Sequence, residues 1–155
     1  MAVPCYDVPA TNARQEAAMI RPIMRQRFFL ARPSETATEA DLAVLQDLVE
    51  TLEAHRATCV GMAANMIGQR KRIIAVVDDD GSILAMLNPH IVQRSGEYQA
   101  EEGCLSLDGV RPTTRYRNIV VEYEDAEMRP HSAKRRGHVA QAIQHEIDHC
   151  DGIVI

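Results

Sequence analysis

The pattern with the clearest chemistry in this 155-residue sequence is His145-Glu146-Ile147-Asp148-His149, near its end. On a helix, histidines four residues apart differ by about 40° in direction and about 6 Å in height, so both imidazoles can reach one metal ion. Glu146 then points to the adjoining face, where it can touch a metal-bound water without binding the metal. That placement is the one that a general base needs.

A catalytic metal site of this kind requires a third protein ligand and leaves one position open for water. Without that ligand, the two histidines and the glutamate could simply belong to a solvent-exposed, polar face of the helix. The chain has four irregularly spaced cysteines, Cys5, Cys59, Cys104 and Cys150. We interpret them as reduced thiols, because a chain of this length folds without disulfides. For Cys5, Cys59 and Cys150, a small apolar role is favoured.

Cys104 is identified as the third ligand through a resemblance. Glu102-Gly103-Cys104-Leu105-Ser106, followed some forty residues later by Gln-His-Glu-x-Asp-His, resembles the motif pair of peptide deformylases. The resemblance extends over nearly the whole chain from about Arg21. It implies that Cys104, His145 and His149 bind one divalent metal ion. Fe²⁺ is the metal expected in the cell, with Zn²⁺, Ni²⁺ or Co²⁺ as alternatives in purified protein.

The reaction that the resemblance implies is removal of the formyl group from the N-terminal formylmethionine of newly made polypeptides, with release of formate. Metal-bound water would lose a proton to Glu146 and attack the formyl carbonyl. The backbone N–H of Leu105 would donate to the developing oxyanion. The implied partners are the N-formylmethionyl peptide and, transiently, the ribosome. The oligomeric state does not follow from the sequence.

The sequence departs from the family in the motif Gly-x-Gly-Leu-Ala-Ala-Pro-Gln, which here reads CVGMAANM from Cys59 to Met66. Gly61 retains the glycine whose backbone docks the substrate main chain in the family. Met66 replaces the glutamine that is the second oxyanion donor, and methionine has no N–H to give. Loss of one such donor costs about 3 kcal/mol, a factor of roughly 10² to 10³ in turnover. Asn65 and Gln69 are candidate replacement donors.

The substrate pocket that the resemblance implies lies along the helix face before His145. Ala142 is small and leaves room there for a substrate side chain. Gln141 and His138 make the same neighbourhood more polar than a pocket for methionine, although an exposed position for His138 is favoured. These differences bear on the identity of the substrate more than on the type of reaction.

Three other interpretations of these residues stay open. The chain could be a deformylase-like paralogue that binds formylated or acetylated peptides, or hydrolyses another small amide. The metal could be purely structural, although such sites close all four positions with Cys or His and have no need of Glu146. Cys104 could be a nucleophile paired with His145, but that interpretation does not explain two histidines at metal spacing.

The elements that would position these residues follow from hydrophobic periodicity. Apolar residues recur at three and four residues over about 38–56, after a capping box of Thr36 and Glu39, and predict an amphipathic helix. A second helix begins at Gly137, carries the stripe of Val139, Ile143, Ile147 and Cys150, and stops at Gly152. Between them we predict strands at 73–77, 83–87, 88–96 and 119–125. Near the beginning we expect a short helix at 12–19 and an irregular or extended stretch at 28–31.

This order of elements predicts an α+β fold with antiparallel strands packed around a C-terminal helix that carries His-Glu-x-x-His, as in peptide deformylases. We find no internal repeat or linker, so residues 1–155 are expected to form a single catalytic domain. The formal net charge of −5 argues against nucleic-acid binding and against binding to anionic lipid. The first thirty residues contain no apolar run long enough for a signal peptide or a spanning helix, so a cytoplasmic location is expected.

Overall fold

The computed structural model describes residues 18–155. It contains three α-helices, α1 (Arg27–Leu30), α2 (Leu42–Ala54) and α3 (Gly137–Cys150). Five strands lie between α2 and α3: β1 (Gly61–Ala63), β2 (Ile73–Val77), β3 (Ile83–Cys104), β4 (Leu107–Glu124) and β5 (Pro130–Arg136). Two short 3₁₀ turns, Glu39–Asp41 and Ala64–Ile67, precede α2 and follow β1.

The strands form one antiparallel sheet in the order β1-β2-β3-β4-β5. The predicted hairpin of 73–77 and 83–87 is confirmed, with Ile73 opposite Leu87 and Val77 opposite Ile83. β3 continues well beyond that hairpin and pairs with β4 until Cys104 lies opposite Leu107. The tip of this long second hairpin therefore contains the sequence motif around Cys104.

The sheet has an apolar core on each face. On one face, the predicted stripe of α3 is buried and packs against residues of β1 to β4. On the other face, α2 packs its buried leucines, Leu45, Leu48 and Leu52, against the first three strands. Burial of these two stripes holds α2 and α3 against opposite sides of the sheet. The predicted α+β fold with antiparallel strands around the C-terminal helix is confirmed.

Two local predictions near the beginning of the chain were wrong. Residues 27–30 form one helical turn, closed by a bond from the N–H of Ala31 to the carbonyl of Arg27, rather than an extended stretch. Leu30 anchors this turn because it is completely buried, while Phe28 is 82% exposed. The capping box uses Thr38 and Asp41 instead of the residues two positions earlier, because the helical region begins with a 3₁₀ turn. The helix expected at 12–19 falls almost entirely outside the described residues.

Cys59, Cys104 and Cys150 are free thiols, as predicted, and Cys5 lies outside the described residues. Between residues 18 and 155, no helix is both long and apolar enough to cross a membrane. The single-domain organisation of residues 1–155 stays a prediction.

Candidate active site

The tip of the β3–β4 hairpin meets one face of α3 and brings the three predicted ligands together. Cys104 Sγ lies 3.3 Å from His149 Nε2, which lies 3.1 Å from His145 Nε2. The ligand atoms of the three residues all lie within 4.8 Å of one another. The two histidines are buried on α3, and Cys104 is half-buried at the hairpin tip. The geometry therefore joins a local helical motif to a residue more than forty positions earlier in the chain.

Gln144, which precedes the first histidine, fixes α3 against β4. Its side-chain amide accepts a hydrogen bond from the N–H of Tyr116 at 2.9 Å and donates to the carbonyl of the same residue at 2.8 Å. Pairing between β4 and β5 begins only at Asn118, so Gln144 satisfies backbone groups that β5 does not reach. This contact sets the position of α3 on the sheet one residue before its first metal-ligating position.

Glu102 orients His145. Its carboxylate accepts a hydrogen bond from His145 Nδ1 at 2.9 Å, which leaves Nε2 of that ring free for a metal ion. Glu102 is in turn held by Arg115, whose Nε and Nη2 atoms donate to the carboxylate at 3.1 Å and 2.7 Å. Arg115 also donates to Asp148 on α3 at 2.6 Å, and Gln141 donates to Glu102 at 2.8 Å. We call Glu102, Arg115 and Asp148 the buried ion network.

Burial, hydrogen bonds and neighbouring charges shift the pKa values of Glu102, His145 and His149 in different directions. Burial opposes ionisation of Glu102, but hydrogen bonds from His145, Arg115 and Gln141 outweigh it and lower its pKa to about 2. Burial also opposes the charged form of His145, yet its hydrogen bonds with Cys104 and Glu102 raise its pKa to about 10. Burial, together with the neighbouring charge on His145, lowers the pKa of His149 to about 3.

The grouping of these three side chains suits a divalent cation. Nε2 of His149 lies 3.1 Å from Nε2 of His145 and 3.3 Å from Sγ of Cys104, so one cation could contact all three atoms. One thiol and two imidazoles are also the ligand types that bind Fe²⁺, Zn²⁺, Ni²⁺ and Co²⁺. The residues present therefore fit a single divalent metal ion.

Glu146 lies beside this centre and is buried between α3 and β1. Burial raises its pKa to about 7, against the lowering effect of His145. Its Oε2 atom has no hydrogen-bond partner among the described residues. A methyl group added to Gly61 would lie 3.1 Å from Glu146 Oε1, so a larger residue here would crowd the carboxylate. A buried carboxylate with a free oxygen is suited to accept a proton.

A cavity of about 510 Å³ opens onto the metal-binding group, and the predicted site residues line it. It includes Gly61, Met66, Leu105 and Ala142 as well as Cys104, His145 and Glu146. Its size lies within the range of small-ligand sites. The structure thus brings the predicted catalytic and substrate-binding residues to one cavity, next to His149. Their roles stay predictions.

Two polar residues make the cavity wall less apolar than a pocket for methionine would be. His138 is exposed and also lines the cavity. Gln141 lines it too, and its amide bridges the hydroxyl of Tyr98 at 3.1 Å and Glu102 at 2.8 Å. Gln141 therefore has a structural role that the sequence does not reveal.

The predicted replacements for the missing glutamine are not in place. Met66 lines the cavity and its sulfur accepts a weak hydrogen bond from the N–H of Ala63 at 3.5 Å. Asn65 is completely buried and donates its amide to the carbonyl of His149 at 3.0 Å. Gln69 is exposed and does not line the cavity. In this conformation, neither amide takes the place of the absent oxyanion donor.

Sequence analysis missed the contributions of Arg115 and Cys59. Arg115 lies within a strand, and its two acidic partners are 13 and 33 residues away in the chain, so no local pattern pointed to it. Cys59, which we interpreted as a harmless thiol, lines the cavity, and its sulfur donates to the carbonyl of Gly61 at 2.8 Å. Its position at the first glycine of the family motif was the available signal.

Replacing Arg115 by methionine is expected to lower the free energy of unfolding by about 3–5 kcal/mol, because Glu102 would remain charged and buried without its partner. Urea unfolding monitored by circular dichroism measures this loss. Arg56→Met is the matched control, since it removes an exposed ion pair with Glu53 and should cost about 1 kcal/mol or less. Equal losses for both variants would contradict an essential buried ion network.

Comparisons with known proteins show which family the chain is similar to. The family model described as polypeptide deformylase matches residues 19–155. The peptide deformylase of Clostridium beijerinckii is 46% identical over 137 residues, which cover 88% of this chain and 100% of that protein. The solved structure of peptide deformylase from Thermus thermophilus is similar with a TM-score of 0.76 at 33% identity, covering 87% of this chain and 83% of that one. For peptide deformylase from Legionella pneumophila the TM-score is 0.76 at 30% identity, with 86% and 82% covered.

The antiparallel sheet, the closing helix and these relatives define the protein as a metal-dependent hydrolase. Its thiol and two imidazoles form a group that can hold the metal ion. The chain belongs to the polypeptide deformylase family.

Proposed function

We propose that this protein removes the formyl group from the N-terminal formylmethionine of newly made polypeptides and releases formate. The observation that supports this proposal most is the convergence of Cys104, His145 and His149 beside the free carboxylate oxygen of Glu146. A divalent metal ion bound by those three residues, Fe²⁺ in the cell, would act as a Lewis acid and lower the pKa of water.

The remaining steps are assigned to groups of the chain itself. Glu146 accepts a proton from the attacking water and then passes it to the leaving amine, as a general base and acid. The backbone N–H of Leu105 donates a hydrogen bond to the oxyanion that develops on the formyl group. The backbone of Gly61 docks the substrate main chain, and Ala142 leaves space for the first side chain.

We further propose that residues 1–155 act as one catalytic domain in the cytoplasm and contact the ribosome transiently. Formylmethionine is carried by newly made chains, so an enzyme that meets its substrate early has to work close to the site of synthesis. The net charge of −5 argues against an affinity of its own for nucleic acid.

A second candidate function is binding of formylated or acetylated peptides, or hydrolysis of another small amide, with little deformylase turnover. Met66 favours this candidate, because its side chain lines the cavity and has no N–H for an oxyanion. The polar Gln141 and His138 in the same cavity also favour a substrate other than methionine.

Iron-loaded protein kept under anaerobic conditions is expected to release formate from a formyl-methionyl tripeptide. Anaerobic handling matters because ferrous iron beside a thiolate promotes oxidation of Cys104. A chelator should abolish the activity and added Fe²⁺ should restore it, while circular dichroism shows that the metal-free protein stays folded. Formate measured by a coupled dehydrogenase assay gives the rate.

The other outcomes of this experiment separate the alternatives. Unfolding on chelation would indicate a structural metal ion. Activity that is insensitive to chelators would indicate a cysteine nucleophile at Cys104. Tight peptide binding without formate release would favour the second candidate function.

A further inference from the structure

Asn65 holds an amide group against the end of α3 that carries His149. The residue lies in the 3₁₀ turn Ala64–Ile67 and is completely buried. Its Nδ2 donates to the carbonyl of His149 at 3.0 Å, a contact between residues 84 positions apart. This bond joins the turn that contains Met66 to the residue that provides the last of the three ligand atoms.

Two buried polar atoms at this contact lack hydrogen-bond partners within residues 18–155: Asn65 Oδ1 and His149 Nδ1. One is an amide oxygen, which can only accept. The other carries the ring proton whenever Nε2 binds a metal ion, and is then a donor. A buried acceptor and a buried donor on residues already in contact can satisfy each other directly or through one water molecule, whereas each one alone is costly.

We propose that Asn65 is a positioning residue for His149. Its Oδ1 accepts the Nδ1–H of His149, directly or through one water molecule, when Nε2 holds the metal ion. Histidines that bind metals almost always donate the other ring N–H to such an acceptor, which fixes their orientation. Glu102 already does this for His145 at 2.9 Å, and Asn65 provides the equivalent group for His149.

In the motif that the chain resembles, proline stands at this position and has no side-chain acceptor, whereas this chain has Asn65. The proposed role also accounts for a polar side chain at a completely buried position. The inference rests on the metal site of the proposed function.

The test is the zinc affinity of purified protein, measured by competition with a chromophoric chelator. Asn65→Ala is expected to bind zinc about 10- to 100-fold more weakly, the usual effect of losing such a partner. Asn65→Asp keeps an oxygen acceptor in the same place and is expected to recover most of the affinity. In zinc-loaded protein, the ¹⁵N-bound proton at His149 Nδ1 should exchange slowly with water in the wild type and rapidly in Asn65→Ala.

Thr51→Val is the matched control for loss of buried hydrogen bonds. Thr51 is completely buried on α2, accepts from the N–H of Arg21 at 2.9 Å and donates to the carbonyl of Asp47 at 2.7 Å. The control should lower the melting temperature and leave zinc affinity unchanged. If Asn65→Ala behaves in the same way, the positioning role is overturned.

Failure of the proposed function gives a different result. Wild-type protein would then bind no zinc, or would bind it equally well after Cys104→Ser. If Asn65→Ala does not fold, the exchange rate of the Nδ1 proton of His149 in the zinc-loaded wild type tests the hydrogen bond instead. Slow exchange supports the hydrogen bond, and fast exchange overturns it.

Discussion

Replacing Glu146 by glutamine is expected to slow formate release by a factor of roughly 10² to 10⁴, the usual contribution of a general base. Glutamine has the same shape but does not accept a proton at neutral pH. The change fits the space beside Gly61, where the nearest carboxylate oxygen would lie 3.1 Å from an added methyl group. Single-turnover release of formate by iron-loaded protein measures the chemical step directly.

The zinc affinity of the variant shows whether Glu146 acts as a general base or as a metal ligand. Glu146→Gln should bind zinc as tightly as the wild type, because the three ligand atoms belong to other residues. Glu50→Gln, the same chemical change at an exposed position of α2, should leave both rate and affinity unchanged. Full activity of Glu146→Gln would show that the proton is accepted elsewhere.

Met66→Gln is expected to raise kcat/KM by up to about 10²-fold, because it returns a second donor to the developing oxyanion. Methionine and glutamine have similar lengths, so the new amide should reach the cavity that Met66 now lines. The same amide is buried in the free protein, and about 1–3 kcal/mol of stability should be lost if it finds no partner there. Steady-state kinetics and urea unfolding measure the two effects.

Met66→Leu distinguishes the donor from a change in packing. Leucine is apolar like methionine and offers no N–H, so this variant should not gain activity. If Met66→Gln is no faster than Met66→Leu, the missing donor does not limit the reaction. If wild type and Met66→Gln both bind metal and neither releases formate, the deformylase proposal fails and the second candidate function gains support.

The elements with a sustained period were predictable from the sequence. The apolar stripe of α3 repeats over three turns, and the alternation at 119–125 indicates a strand with one buried face. Helix α1 could not be predicted, since its four residues contain no repeat and no local pattern marks Leu30 as completely buried. The full length of β3 could not be predicted either. The strand runs from Ile83 to Cys104 and includes Asn88 and Pro89, which are residue types that usually interrupt strands.

The residues of the candidate site also fall into those that could be predicted from the sequence and those that could not. His145 and His149 could be predicted because helix geometry alone places them together, and Cys104 entered through its flanking motif. The orienting residues could not, because the contacts of Arg115 and Asn65 depend on how the hairpin and the 3₁₀ turn pack against α3. A buried polar side chain whose partner lies far along the chain leaves no local pattern.

The close approach of Gly61 to Glu146 affects how a substrate peptide would be positioned relative to the carboxylate. β1 lies at the edge of the sheet, and at Gly61 no side chain stands between its backbone and the carboxylate. If a peptide docks on this backbone as proposed, main-chain geometry would set its distance from the carboxylate, and that geometry is the same for every sequence. The backbone of β1 would then fix the position of the substrate's N-terminal residue. Peptides with different N-terminal sequences would therefore bind in the same alignment along β1.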